Sequence, residues 1–450
     1  MAAAGLACER QASSCLLRSL PVHCSLPART FPMSGFPMLP DLYFTGGKAT
    51  WSDPRRLPRE GLAQALVDAR NRTLAWLAPF GQTRRAWDVP HQYDADPPLW
   101  TLGHVAWHAE WWCLRGVRQV DRGGVPVPVA SEPSLLDGAD EWFDPDRIGP
   151  DERWEIALPD VAVVKRYAAD VLDGVLRRIA LLADDSDLTL YPYRRALLHE
   201  DAQGEGVAAL LQALGMAPAE AIGAGPVQPA GHGGTLHFPG GRFTLGWSDP
   251  DGFAWPDELP PQPTYVPVFE MDMAPVSNAQ FLEFVEDGGY EHPAWWSAAG
   301  RQWLMTQERS APRYWSRHPE SRGWMVERFG TLRTLNPDEA VRHVTLYEAQ
   351  AWCVWAGRRL PAESEWELAA TQNRGLQWGA LREWTATPYE PYAGFAAAPS
   401  DSEVVGRFGT HQAVRGVSFA SPARLRHVRA RWARLPEDDL SFIGFRTCAL

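Results

Sequence analysis

At 450 residues the chain is too long for one ordinary hydrophobic core and predicts two or three domains. Its composition, 45% apolar and 22% charged, is that of a globular protein. The net charge of −12, with arginines interspersed among Asp and Glu, argues against a nucleic-acid surface, because phosphate binding needs clustered cations. The six cysteines, at 8, 15, 24, 113, 353 and 448, form no C-x-x-C pair, which argues against a disulfide framework or a structural zinc site. No apolar run reaches the length of a membrane span. A cytoplasmic protein with small-molecule partners is expected, without nucleic acid or membrane; the sequence leaves its oligomeric state open.

Residues 1–50 mix Ala, Ser, Pro and three Cys without periodicity and read as a disordered extension or as sequence upstream of the true start, at Met33 or Met38. From Glu60 to Leu77, apolar side chains at 62, 65/66, 69 and 73/74 have a helical period. A second helix is expected from Pro98 past Cys113, since proline starts a helix but does not continue one. On it His104 and His108 stand at i,i+4, one turn apart, with Trp100, Trp107 and Trp111 on or beside the same stripe. Two imidazoles against an aromatic wall suit a metal, although a histidine on such a face also serves as a hydrogen-bonded core residue. Gly123, Gly124 and prolines at 126, 128, 133 and 150 mark an excursion before a third helix, about 161–182, with the stripe Val164, Tyr167, Val171, Val175, Ile179. A fourth helix, about 192–214, carries His199 and Gln203 on one face and ends at Gly215. The two histidine-bearing helices together suggest a metal site inside a bundle.

Residues 216–235, rich in Ala, Gly and Pro, read as a linker. Beyond them, short β-type runs at 241–246 and 265–269 and short helices at 277–286 and 346–357 predict a loop-rich α+β domain over 236–450, following a helical domain over 57–215.

Four strings in this second half, Pro275-Val276-Ser277-Asn278-Ala279-Gln280-Phe281, Tyr347-Glu348-Ala349-Gln350-Ala351-Trp352-Cys353, Arg358-Arg359-Leu360-Pro361-Ala362-Glu363-Ser364-Glu365-Trp366-Glu367 and Gly444-Phe445-Arg446-Thr447-Cys448, resemble the signature of the formylglycine-generating-enzyme-like (sulfatase-modifying factor) fold. As physics they read as loop pins, with Glu365 and Trp366 packing a helix end and Arg446 answering a buried carboxylate. A DinB-like four-helix bundle followed by this fold resembles the sulfoxide synthases of ergothioneine biosynthesis and, more closely, the selenoneine synthases. The closer likeness rests on the string from Pro97 to Trp107, on Pro133-Ser134-Leu135-Leu136-Asp137-Gly138-Ala139-Asp140, on Leu198-His199-Glu200-Asp201, and on the ending Gly444 to Leu450.

The resemblance implies a non-haem oxidoreductase in which Fe(2+) held by three histidines couples dioxygen, N-α-trimethylhistidine (hercynine) and a thiol or selenol. It puts two ligands at His104 and His199. Two departures follow. The family's second histidine on the fourth helix is Gln203 here, a neutral and weaker donor to this ion. The family's pair of tyrosines, one a proton donor, falls on Ser400 and Glu403 when aligned back from Phe408, with Tyr389 or Tyr392 as the nearest substitutes. A common Gly-Asn-Val-Trp-Glu-Trp string also reads Gly379-Ala380-Leu381-Arg382-Glu383-Trp384.

Three functions remain open at this stage. The first is an iron enzyme joining trimethylhistidine to a selenosugar, or in the ergothioneine manner to cysteine or γ-glutamylcysteine; Gln203 or His108 supplies the third ligand and Trp384 and Trp432 offer faces to the trimethylammonium. The second is a non-catalytic homologue that has lost the third ligand and the tyrosine. The third is a DinB-like thiol transferase using another divalent metal.

Overall fold

A computed structural model describes residues 53–81, 84–120, 126–130, 132–220, 222, 234–321, 323–372, 374–398 and 401–450. The expected extension over 1–50, most of the expected linker over 216–235, and Ser400 lie outside the described residues.

Four long helices form the bundle: α1 (Arg59–Leu77), α2 (Pro98–Cys113), α3 (Val161–Ala180) and α4 (Asp187–Ala213). α2 is central, packing on both α3 and α4, and every one of its residues except Trp111 is buried. A helix apolar on all sides is stable only when enclosed, and α3, α4 and the short helix Ala139–Phe143 supply the enclosure. α3 buries the single stripe Val164, Tyr167, Val171, Val175 and Ile179, as its spacing predicts.

α4 departs from expectation at its start. It begins at Asp187, capped by the Ser186 hydroxyl accepting from the Thr189 amide, and Pro192 lies within it. The proline removes one amide donor, which would have served Leu188, an exposed residue. Proline marks a helix start only where no better cap precedes it, and Ser186 is that cap.

The string 133–140 holds α2 in place. The buried Glu110 carboxylate accepts from the Ser134 hydroxyl, the Leu135 amide and the Tyr167 hydroxyl, each at 2.6 Å. Asp140 accepts from Trp107 Nε1 at 2.7 Å and from Arg115 Nη2 at 2.9 Å.

The second half is built round a four-stranded sheet of β1 (Arg382–Pro388), β2 (Gln412–Arg415), β3 (Arg431–Arg434) and β4 (Ile443–Gly444), in the order β3-β2-β1-β4. β1 and β4 run parallel; the other neighbours are antiparallel. The run expected as one strand over 265–269 is split: Gln262–Val266 pairs with Gly241–Leu245, and Phe269–Asp272 pairs with Thr235–Phe238. Pro267, with no amide to give a ladder, falls at the break. The signature strings are pins. Ser277 and Gln280 form a reciprocal cap on the helix Asn278–Glu286. Glu365 accepts from both terminal nitrogens of Arg359 at 2.8 Å, and the fully buried Arg446 donates to the fully buried Glu383 at 2.7 Å.

The halves meet along α4. Arg382 donates to Glu205 at 3.0 Å, Arg424 donates to Asp201 at 2.7 Å, and the Gln212 amide joins the Glu327 carbonyl at 3.2 Å and the Phe329 amide at 2.9 Å. Among the described residues no helix is long and apolar enough to cross a membrane.

Candidate metal and substrate site

His104 on α2 and His199 on α4 face one another inside the bundle, with their Nε2 atoms 3.1 Å apart. His104 is 1% exposed and its Nδ1 lies 2.9 Å from the carbonyl oxygen of Phe143. A carbonyl can only accept, so Nδ1 carries the proton and Nε2 presents a lone pair towards His199. Burial lowers the pKa of His104; burial, then the neighbouring His104, holds His199 well below the ordinary value. Neutral imidazoles are the ligand form. Two nitrogens bound at right angles to one ion at about 2.0–2.1 Å lie about 3 Å from each other, so the spacing of the pair fits a shared metal.

The third position is less complete. His108 stacks on His199 with ring centroids 3.7 Å apart and planes 11° apart. Nearly parallel rings hold their in-plane lone pairs in two separate planes, so the two do not converge. Its buried Nδ1 has no hydrogen-bond partner. Gln203, one turn beyond His199, is half-buried and lines the same cavity. Among the described residues no group of three or more His, Cys, Asp or Glu side chains is arranged to hold a metal ion. The fit to a metal ion thus rests on two nitrogens, with Gln203 beside them on the cavity wall.

The cavity in front of the pair has a volume of about 800 Å³ and is walled by both halves of the chain. Trp100 stacks on His104 at 4.5 Å, and the Arg153 guanidinium lies 4.1 Å over the Trp100 ring. From the second half Trp432, Tyr389 and Glu403 reach the wall. Glu403 lies 3.9 Å from both Arg153 and Arg407, and its carboxyl pKa is lowered: burial would raise it, but the charge of Arg407, with those of Arg153 and Arg195, outweighs that burial.

The other expected residues divide. Trp384 is not a substrate face: it is fully buried, donates to the Val344 carbonyl at 2.8 Å, and belongs to the core under the sheet. It stands on an inner strand whose residues 382–385 are all buried, which a lone tryptophan in a short string does not reveal. Trp432 does line the cavity, but the Arg382 guanidinium covers one of its faces at 3.9 Å. Tyr389 lines it too, with its hydroxyl given to Asp257 at 2.7 Å; burial, then the Asp257 charge, raises its pKa well above the ordinary value. Tyr392 is buried beneath Arg431 at 4.1 Å, its hydroxyl without a partner, and is not part of the wall.

Sequence reasoning missed Arg195. It sits one turn before His199 on α4 and lines the cavity, and the i,i+4 spacing was the signal that would have found it.

Residues 224–380 match the family model of the sulfatase-modifying factor enzyme 1-like domain. The hercynine oxygenase of Mycolicibacterium thermoresistibile is 32% identical over 389 residues, 75% of this chain and 82% of that protein. The hercynine oxygenase of Mycobacterium tuberculosis is 30% identical over 427 residues, 83% of this chain and 95% of that protein. The chain belongs to the hercynine oxygenase family. It is therefore an enzyme of the oxidoreductase class, with a helical bundle preceding a domain of the formylglycine-generating-enzyme type. The formylglycine-generating enzyme of Thermomonospora curvata is 36% identical over a shorter stretch of 147 residues, 30% of this chain and 48% of that protein. The helical half of the chain carries the paired histidines, and the second half contributes to the wall of the cavity.

Proposed function

We propose that the chain is an iron(II), dioxygen-dependent oxygenase that joins N-α-trimethylhistidine to a chalcogen donor, and that the donor is a selenosugar or its thiosugar analogue. The observation that carries this reading is the pair of neutral imidazoles with Nε2 atoms 3.1 Å apart at the end of an aromatic-walled cavity. His104 and His199 would hold the iron, with Gln203 at the weaker third position. When bound, the iron supplies dioxygen activation and a place for the chalcogenolate.

The chain's own residues do the rest. The Phe143 carbonyl fixes the His104 tautomer, and Trp100 fixes its ring plane. Tryptophan faces suit a fixed trimethylammonium, an attraction of about 0.5–2 kcal/mol each. Glu403, where the resemblance puts a tyrosine, offers an ionised carboxylate at the cavity wall beside Arg153 and Arg407. The selenoneine-like strings at 97–107 and 133–140 support the sugar donor. The domain limits we propose are 57–215 and 236–450, joined over 216–235, and irregularly spaced cysteines support a cytoplasmic setting.

A second reading is a homologue that binds without turnover. It is favoured by Gln203 and by the stacked rather than convergent His108. Metal content after purification, anaerobic calorimetry with trimethylhistidine, and oxygen uptake with each donor decide between the two. Absence of trimethylhistidine binding sinks both readings. Binding without oxygen uptake leaves the second, and faster uptake with cysteine than with selenoglucose or thioglucose removes the sugar preference alone.

A further inference from the structure

Arg195 is 7% exposed and lies on α4 one turn before His199, lining the same cavity. Its guanidinium is pressed against the Trp112 ring at 4.2 Å and faces the Trp255 ring at 5.6 Å. Its polar contacts are thin. Nη1 reaches the Tyr191 hydroxyl at 3.4 Å, Nη2 stands 3.9 Å from Asp401 Oδ1, outside hydrogen-bond range, and the buried Nε has no partner.

Arg153, Arg431 and Arg434, on the same wall, are better matched. Arg153 donates to Asp96 at 2.8 Å, and Arg431 grips Glu363 through two bonds at 2.7 and 3.1 Å. Arg434 donates to the Ala433 carbonyl at 2.8 Å. A buried guanidinium that cannot lose its proton and lacks a close acceptor is costly, and the cost falls when an anion arrives. Two flat tryptophans fix the plane of the fork, so the acceptor it suits is itself planar and two-pronged.

We infer that Arg195 is the subsite for a substrate carboxylate, set one helical turn from the His199 imidazole. The inference rests on the oxygenase reading above and deepens it. In trimethylhistidine the carboxylate and the trimethylammonium share one carbon, so an arginine beside the tryptophans of the cavity wall can meet both at once; a carboxylated thiol donor such as cysteine offers the same planar anion.

The test is anaerobic calorimetry on the full chain, wild type against Arg195→Met, which keeps an unbranched stem on Trp112, and Arg195→Lys, which keeps the charge without the fork. Each protein is titrated with trimethylhistidine and its decarboxylated analogue trimethylhistamine, and with cysteine and cysteamine. Thermal melting and iron titration are run alongside; where Arg195→Met fails to fold, Arg195→Lys is the arm that is read. The expected result is a loss of tenfold or more for one carboxylated ligand, a change of less than twofold for its decarboxylated partner, a smaller loss in Arg195→Lys, and unchanged iron affinity. Loss in the histidine pair assigns the subsite to trimethylhistidine, and loss in the cysteine pair assigns it to the donor. Equal losses within both pairs, or none, overturn the inference. A wild-type chain that binds no trimethylhistidine overturns the oxygenase reading, while the cysteine pair still judges Arg195.

Discussion

The Nδ1 atom of His104 lies 2.9 Å from the carbonyl oxygen of Phe143, and the Phe143 ring fills the space beside Gly103. One residue thus fixes the tautomer of the histidine through its backbone and sets its own position by packing on the neighbouring glycine. A Cβ at Gly103 would stand 2.1 Å from Phe143 Cε1, so nothing but glycine fits while the ring stays. Gly103→Ala should therefore displace Phe143, free His104 Nδ1 and weaken iron binding by about 10–100-fold without touching a ligand. Overpacking should also cost about 1–3 kcal/mol of stability. Iron titration beside chemical denaturation tests this, and wild-type iron affinity in the variant would refute the role given to Phe143.

His108 and Gln203 make opposite predictions. Because His108 lies flat on His199 at 3.7 Å, His108→Ala should change iron affinity by less than about threefold. Gln203→His should tighten it by more than about tenfold, since imidazole is the better donor to this ion. Titration of both variants separates the cases: loss of iron in His108→Ala would mean that the ring turns to ligate, and no gain in Gln203→His would remove residue 203 from the coordination sphere.

How far the site was legible follows from these particulars. The i,i+4 face of α2 and the histidine on α4 are local patterns, and local patterns survive folding because helix geometry sets them. The stacking of His108 on His199 was not legible, since it depends on the crossing of two helices distant in sequence. Ser186 and Pro192 competed to start α4, and the side-chain cap prevailed. Trp384 on β1 and Trp432 on β3 both pair with Val414 of the strand between them, yet they have opposite fates, core and cavity wall, and only the place of each strand in the sheet, inner for β1 and edge for β3, tells them apart. The pairing of Arg446 with a buried carboxylate was expected; that the carboxylate is Glu383, with Trp366 Nε1 donating to it at 2.9 Å, required the fold.

His343 gives a prediction about pH. It is buried, in a left-handed backbone conformation at φ +60, and its pKa is lowered to about 3, by burial first and then by the Arg313 charge. Between about pH 6.5 and about 3 the unfolded chain holds a proton on this ring that the folded chain does not. Stability due to this group is thus full above the ordinary histidine pKa and falls as pH drops, by about 1.4 kcal/mol per pH unit at most. His343→Asn removes the titration and keeps a residue tolerant of the left-handed region. Wild type should lose about 2 kcal/mol more than the variant between pH 7 and 5, read by urea unfolding at each pH. Parallel losses in the two proteins would count against it.

The last prediction concerns Arg446 and Glu383, both fully buried. Besides Glu383, Arg446 donates to the carbonyls of Asp272 at 3.1 Å, Met273 at 3.0 Å and Gln377 at 2.6 Å, so one guanidinium ties the strand β1 to two loops. Arg446→Met strips all these acceptors and leaves the Glu383 carboxylate buried with Trp366 Nε1 as its remaining neutral donor. Breaking a buried pair from one side costs about 3–5 kcal/mol, because the surviving charge has neither water nor a counter-ion. Glu383→Gln should cost less, since the three carbonyls still receive Arg446 and the amide oxygen can still accept from Trp366. The double variant, with no unpaired carboxylate, should be more stable than the sum of the singles by at least about 1 kcal/mol. Urea unfolding of the four proteins closes the cycle; simple additivity would mean that Arg446 acts through its carbonyl contacts alone.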